Sequence, residues 1–222
     1  MDLLIILGII AIPAIAQIGI SVNYSKYKNI ENSKKLSGFD VARKILDKNG
    51  LQNVHVVEVR GNLTDHYDPS RKVVRLSSDI FHGESVAAVA VAAHECGHAI
   101  QDKENYSFLR FRSMLFPIVR ISNYFSYIVL LLGFLFEAVN LFSVGIALVT
   151  LGLVFQIITL PVEYNASSRA KKELESINII SPDEMVGVTK VLSSAAMTYV
   201  AGVLSNALDL LRLILLFSRR ND

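Results

Sequence analysis

The sequence predicts a mainly α-helical, multi-pass membrane protein with a small β-sheet next to one buried helix. Apolar residues make up 52% of the 222 residues, and they occur in long blocks rather than evenly along the chain. Such blocks predict membrane helices. Two short valine-rich segments predict strands, and an alanine-rich segment between the membrane blocks predicts the buried helix.

Composition limits the classes of function that fit the chain. The net charge of +2 is close to balance, so nucleic acid is not an expected partner. A single cysteine, Cys96, excludes an internal disulfide. The apolar blocks make membrane lipid an expected partner, whereas the sequence leaves the oligomeric state open.

The first apolar block predicts an N-terminal transmembrane anchor at residues 1–22. Residues 3–22 carry no charge, and about 20 helical residues cross a hydrocarbon core of about 30 Å. A cleaved signal peptide is the alternative, because Ala14-Ile15-Ala16 resembles a cleavage site. The start of the sequence carries Asp2 and no lysine or arginine, whereas a signal peptide has a basic start, which favours the anchor.

Residues 23–113 form a predicted region outside the membrane, with the sheet and the buried helix. Valine enrichment predicts the strands, which form either a hairpin or two edge strands, and a proline-containing turn lies between them. In order, the segments are a helix at 37–48, a strand at 54–59, a turn at 68–70, a strand at 72–76 and a helix at 85–101.

Residues 114–160 are predicted to form a transmembrane hairpin with arms at 121–136 and 138–160. The first arm is short at about 24 Å, so it begins earlier or the bilayer thins around it. Pro161 is expected to end the second arm. A helix and linker follow at 161–197, and 198–222 form a C-terminal membrane helix and tail. Because Asn206, Asp209 and Arg212 form a polar stripe, that helix either spans or lies along the interface.

The distribution of lysine and arginine predicts the orientation in the membrane. Basic residues are frequent between the first anchor and the hairpin, and again at 169–172, whereas the hairpin turn has none. The positive-inside rule therefore places both basic regions in the cytoplasm. A location in the cell membrane of a bacterium follows, with the candidate active site on the cytoplasmic side.

The stretch His94-Glu95-Cys96-Gly97-His98 is an H-E-x-x-H motif in the buried helix. Histidines at i and i+4 project from one helix face, so both imidazoles can reach one Zn²⁺ at about 2.0–2.1 Å. Glu95 is placed to accept a proton from a zinc-bound water as it attacks a carbonyl, and to pass it to the departing amine. Burial of these polar groups without a metal or partners would be costly.

Weaker candidates surround the motif. Cys96 lies between the two histidines, and we interpret it as a small buried filler rather than a nucleophile. A peptidase also needs a hydrogen-bond donor for the developing oxyanion. His66, Tyr164 and Tyr199 are candidates for that donor, and the sequence does not choose among them.

A catalytic zinc needs a third protein ligand, which we predict to be Glu163. The histidine extension of one zinc-protease class is absent, since Gln101 and Glu104 occupy its glycine and histidine positions. Glu137 lies in the hairpin turn, on the opposite side of the membrane. Glu163 follows the hairpin, and two crossings return it to the side of His98. A carboxylate that stabilises its own helix N-terminus is the alternative interpretation.

Several stretches, in order along nearly the whole chain, carry a family resemblance. They are His66-Tyr67-Asp68-Pro69, Val73-Val74-Arg75-Leu76-Ser77, residues 92–101 around the motif, residues 160–167 around Glu163, Thr198-Tyr199-Val200-Ala201, and Leu210-Leu211-Arg212-Leu213. The chain resembles the neutral zinc metallopeptidases of bacteria, the YugP-type membrane proteases. The resemblance implies a multi-pass membrane metallopeptidase with a zincin-like active-site helix and a gluzincin-like site.

More distantly, the chain is similar to the HtpX-type membrane proteases, whose third ligand is the Glu of an E-x-x-x-D helix. Glu163 stands at the Glu position, but Ser167 stands where that pattern has Asp. That Asp orients a histidine ligand, so the sequence leaves open what orients His94. By analogy with related folds, the strand at 72–76 is expected to be an edge strand that pairs with an extended peptide.

The predicted function is that of a zinc-dependent membrane endopeptidase acting on membrane-associated or misfolded proteins. One catalytic Zn²⁺ is held by His94, His98 and Glu163, and Glu95 activates a zinc-bound water. Two alternatives remain: a catalytically silent zinc-binding membrane adaptor of a proteolytic complex, and a zinc hydrolase acting on a non-peptide amide or a lipid.

Overall fold

A computed structural model describes residues 2–221, with side chains as far as residue 218. The chain is mainly helical and carries a three-stranded sheet, which confirms the predicted fold class. The last residue of the predicted C-terminal tail, Asp222, lies outside the described residues. The elements are α1 (Asp2–Lys28), α2 (Gly38–Lys48), β1 (His55–Val59), β2 (His66–Asp68), β3 (Val73–Ser77), α3 (Ser78–Phe81), α4 (Val86–Lys103), α5 (Ser107–Leu135), α6 (Val139–Ser176) and α7 (Pro182–Asn221).

Four helices within residues 2–221 are long and apolar enough to cross a membrane, namely α1, α5, α6 and the part of α7 up to Ser218. Helix α5 starts at Ser107, so the first hairpin arm does begin before residue 121. The expectation that Pro161 ends the second arm is wrong, because α6 continues through it to Ser176. Proline removes one backbone hydrogen bond, and a long helix can continue past that loss.

The chain divides into two compact units. The first, which we call the membrane unit, contains Met1–Gln17, Ser107–Pro161 and Met197–Asp222. The second, which we call the site unit, contains Ile18–Tyr106 and Val162–Ala196. The motif of α4 and the polar half of α6 therefore belong to the same unit.

Helix α4 lies in the core of the site unit. Its start is capped by Ser85, whose hydroxyl oxygen accepts a hydrogen bond from the backbone N–H of Ala88 at 3.1 Å. Most of its alanine and valine side chains are fully buried. They pack in one hydrophobic cluster with side chains of α2, β3, α6 and α7. The small side chains therefore let neighbouring helices approach α4 on several sides.

The sheet has the order β1-β3-β2, with β1 parallel and β2 antiparallel to β3. The two predicted strands therefore do not form a hairpin, because the segment between them forms β2, which pairs with the other side of β3. The expectation that the strand at 72–76 is an edge strand is also wrong, because β3 is central. Asp102 of α4 accepts hydrogen bonds from Tyr67 Oη at 2.8 Å and Lys72 Nζ at 2.5 Å, which fixes the sheet to the end of α4.

Candidate metal centre

The two motif histidines lie one turn apart on α4, with ring centroids 4.8 Å apart and ring planes at 84°. The residue exposure of His98 is 9%, and His94 is partly buried. Glu95, the next residue after His94, is 7% exposed. The helix thus presents two imidazoles on one face, as the i and i+4 spacing predicts.

A close approach of two helices brings the third candidate ligand to the histidines. A Cβ atom at Gly97 would lie 2.5 Å from the carbonyl oxygen of Ala166, so glycine at this position lets the backbone of α6 contact α4. Val162 and Ala166 of α6 are fully buried in this contact region. Glu163 lies one helical turn before Ala166, and its residue exposure is 3%. The approach therefore places the carboxylate of Glu163 beside the motif.

The three candidate ligands converge on one point. Glu163 Oε2 lies 3.3 Å from His94 Nε2 and 3.6 Å from His98 Nε2, and the donor atoms all lie within 4.8 Å of one another. Donors at about 2.05 Å from a tetrahedral zinc ion are about 3.4 Å apart. Two imidazole nitrogens and a carboxylate oxygen at these separations fit Zn²⁺ and leave a fourth coordination position for a substrate or water.

The second ring nitrogen of each histidine also has a partner. His94 Nδ1 lies 3.1 Å from Ser167 Oγ, and His98 Nδ1 lies 3.0 Å from Gln101 Oε1. Ser167, which replaces the aspartate of the related pattern, therefore contacts His94 from one turn beyond Glu163. Partners of this kind orient metal-binding imidazoles.

Burial and the Glu163 carboxylate act in opposite directions on His98. Burial disfavours the charged imidazolium, but hydrogen bonding and charge attraction from Glu163 outweigh it, and the pKa of His98 is raised above its usual value. Metal binding displaces a proton from such a group.

Cys96 is fully buried, its Sγ lies 3.6 Å from the carbonyl oxygen of Ala42, and burial raises the pKa of its thiol. These features fit the predicted filler and not a thiolate nucleophile.

The weaker candidates have surroundings of their own. Glu104 pairs with Arg169 at 2.6 Å, and Glu137 lies in the turn after α5, in the membrane unit. His66 is exposed on β2 and its Nδ1 lies 2.7 Å from the carbonyl oxygen of Thr64. Tyr164 is 48% exposed, and Tyr199 belongs to the membrane unit.

Sequence reasoning missed Gln101 and Gly97. Gln101 stands where an extended motif has glycine, yet its side chain is fully buried and hydrogen-bonded to His98. A signal was available for Gln101, because a glutamine three residues after a motif histidine shares its helix face. The role of Gly97 depends on contact with a distant helix, which no local pattern reports.

The chain is mainly helical with candidate membrane spans, and its H-E-x-x-H motif lies opposite a glutamate on another helix. These features define the class of membrane zinc peptidases. The family described as "Putative neutral zinc metallopeptidase" matches residues 2–218, and the chain belongs to this family. It is 46% identical over 207 residues to "Putative membrane protease YugP" of Bacillus subtilis (strain 168), across 93% of this chain and 92% of that protein. No solved structure matches the chain. The family implies Zn²⁺ as the cofactor and protein or peptide as the substrate.

Proposed function

We propose that this chain is a membrane endopeptidase whose single Zn²⁺ is held by His94, His98 and Glu163, with Glu95 as general base and acid. The observation that carries the proposal is the convergence of His94 Nε2, His98 Nε2 and Glu163 Oε2 on α4 and α6. A purely structural zinc site has four protein ligands, whereas three protein donors leave an open position, as catalysis requires.

The protein side chains perform the proton transfers. When bound, Zn²⁺ polarises the scissile carbonyl and lowers the pKa of water. Glu95 accepts one proton from the attacking water while the oxygen of that water forms a bond to the carbonyl carbon. Glu95 then donates that proton to the amide nitrogen as the C–N bond breaks, so the products are a carboxylic acid and an amine.

The proposed substrates are membrane-associated or misfolded proteins, since Glu163 lies on α6, one of the candidate membrane spans. We place the site unit on the cytoplasmic side because its basic residues outnumber those of the hairpin turn. Asn140 is exposed at the start of α6, and Lys34 is exposed in the site unit. A membrane-impermeant maleimide should label Asn140→Cys on intact cells but Lys34→Cys only after lysis, with little background because Cys96 is fully buried. The reverse pattern would refute the orientation.

The decisive experiment compares the wild type with Glu95→Gln in detergent. Both should contain one equivalent of zinc, and Glu95→Gln should cleave casein at least about 100-fold more slowly, because proton transfer by a positioned group contributes roughly 10²–10⁴-fold. Glu175→Gln is the matched control, since Glu175 is exposed on α6, and it should retain full activity.

The alternatives predict different outcomes of the same experiment. A zinc-loaded wild type with no turnover, equal to Glu95→Gln across many substrates and conditions, would favour the silent adaptor. Hydrolysis of a non-peptide amide or a lipid without cleavage of proteins would favour the alternative of a zinc hydrolase with a non-peptide substrate. Equal casein cleavage by wild type and Glu95→Gln would refute the proposed role of Glu95.

A further inference from the structure

The side chain of Gln101 is fully buried and makes three hydrogen bonds within the site unit. Its Oε1 lies 3.0 Å from His98 Nδ1, and its Nε2 lies 2.8 Å from the carbonyl oxygen of Val162 and 2.9 Å from Asn165 Oδ1. One amide therefore joins a metal-site histidine on α4 to the backbone and a side chain of α6.

Hydrogen-bond chemistry fixes the orientation of this amide. The carbonyl oxygen of Val162 can only accept, so the atom of Gln101 that faces it must be the NH₂ group. The oxygen of Gln101 consequently faces His98 and can only accept, so His98 must donate from Nδ1–H. In the neutral imidazole that can bind a metal, the lone pair is then on Nε2, the atom 3.6 Å from Glu163 Oε2.

The other end of the chain of hydrogen bonds is fixed in the same way. Arg169 Nε lies 2.7 Å from Asn165 Oδ1, and a guanidinium can only donate. The atom of Asn165 that faces both Gln101 and Arg169 is therefore its oxygen. Arg169 also pairs with Glu104 at 2.6 Å, which ties it to the end of α4.

The two histidines differ in this respect. His94 Nδ1 contacts the hydroxyl of Ser167, which can donate or accept and so leaves the tautomer of His94 open. His98 has a partner that permits one tautomer only. The difference assigns a distinct task to the side chains behind His98.

We propose that Gln101, Asn165 and Arg169 form a relay that positions His98 as a metal ligand by fixing its tautomer and ring orientation, an inference that rests on the proposed zinc site. Gln101 contacts the ligand, Asn165 holds the amide of Gln101, and Arg169 holds Asn165. Removal of outer partners of this kind lowers metal affinity by about 10–100-fold.

The test compares Asn165→Leu with Asn165→Asp in the full chain in detergent. Leucine removes the acceptor oxygen, whereas aspartate keeps it for both Gln101 and Arg169. Asn165→Leu should bind zinc about 10-fold more weakly by competition with a chelator, at the lower end of the range for outer partners. Its Co²⁺-substituted form should also show an altered visible spectrum. Asn165→Asp should match the wild type in both measurements.

A second pair of variants approaches the relay from its far end, in case Asn165→Leu does not fold. Arg169→Leu should weaken zinc binding by less than Asn165→Leu, because it acts one hydrogen bond further from His98. Glu104→Gln is its control, since it breaks the ion pair with Arg169 but keeps the Arg169 Nε donor to Asn165. It should leave zinc affinity unchanged.

The outcomes separate this inference from the proposed function. A wild type that binds no zinc overturns the proposed function, and the relay with it. Zinc affinity in Asn165→Leu or Arg169→Leu equal to that of a zinc-binding wild type overturns the relay alone. Equal weakening by Asn165→Asp and Asn165→Leu, or by Glu104→Gln and Arg169→Leu, also overturns it, because the effect would not follow the hydrogen bonds.

Discussion

The site unit and the membrane unit use similar apolar residues but bury them differently. In the site unit, Ile45 and Leu174 are fully buried in a cluster that extends from α1 to α7. The buried cluster of the membrane unit contains Leu130, Phe142, Val149 and Leu213, and large side chains such as Leu131 remain 56% exposed.

Polar side chains of the membrane unit pair with one another. In the membrane unit, Tyr127 Oη donates to Asp209 Oδ2 at 3.0 Å, and Arg212 lies 3.6 Å from Asp209, whose side chain is only 14% exposed. Two residues of the polar stripe, Asp209 and Arg212, therefore form an ion pair. Lipid is as apolar as leucine, so apolar side chains such as Leu131 can face it, whereas a carboxylate such as Asp209 needs polar partners. The difference indicates that water shapes the core of one unit and lipid the surface of the other.

The largest difference between the two units is expected in the free energy of unfolding after truncation of an apolar side chain. Ile45→Ala in the site unit should lower the free energy of unfolding by about 2–5 kcal/mol, because it leaves a cavity in a packed core. Leu131→Ala in the membrane unit is the matched control. It should change that free energy by no more than about 0.5 kcal/mol, as is usual for exposed positions. Denaturant unfolding of the purified protein in detergent measures both.

The contrast between the two variants, and not either value alone, tests whether water surrounds the site unit and lipid surrounds the membrane unit. Similar losses of unfolding free energy from Ile45→Ala and Leu131→Ala would mean that the exposed face of α5 packs against protein. The interpretation of that face as lipid-facing would then be wrong. A loss confined to Ile45→Ala supports it.

Local periodicity explains what the sequence predicted. Apolar blocks longer than a bilayer identified the membrane helices, and the i and i+4 spacing placed His94 and His98 on one face. Counting membrane crossings led to Glu163, which the structure brings within 3.3 Å of His94 Nε2. Each of these inferences needs only the geometry of a single helix or the number of crossings.

The remaining features depend on contacts between distant segments. β1 pairs with β3 although β2 lies between them in the chain, because pairing partners are set by packing and not by sequence order. Helix α6 continues through Pro161, where a local rule predicts an end. Gln101 is identifiable as a partner of His98 only when the carbonyl of Val162 and the side chain of Asn165 are in place.

A smaller effect on stability, but a direct one on the site, is expected from Gly97→Ala. The new Cβ would lie 2.5 Å from the carbonyl oxygen of Ala166 and 3.1 Å from its Cα, so α6 must move away. Overpacking costs about 1–3 kcal/mol, partly offset by about 1 kcal/mol of helix propensity. Because Glu163 is carried by the same turn of α6, zinc affinity should fall together with stability, which chelator competition and denaturant unfolding measure.

Gly19→Ala separates the close contact from the general effect of replacing a helical glycine. Gly19 lies in α1, and a Cβ there would meet nothing within 4 Å. This variant should therefore keep the zinc affinity of the wild type and lose no stability. If Gly97→Ala also bound zinc as the wild type does, α6 could shift without moving Glu163, and the contact at Gly97 would not be what sets the separation of the metal donors. If only Gly97→Ala loses zinc, the distance between two helix backbones determines whether a glutamate on α6 and two histidines on α4 can share one ion.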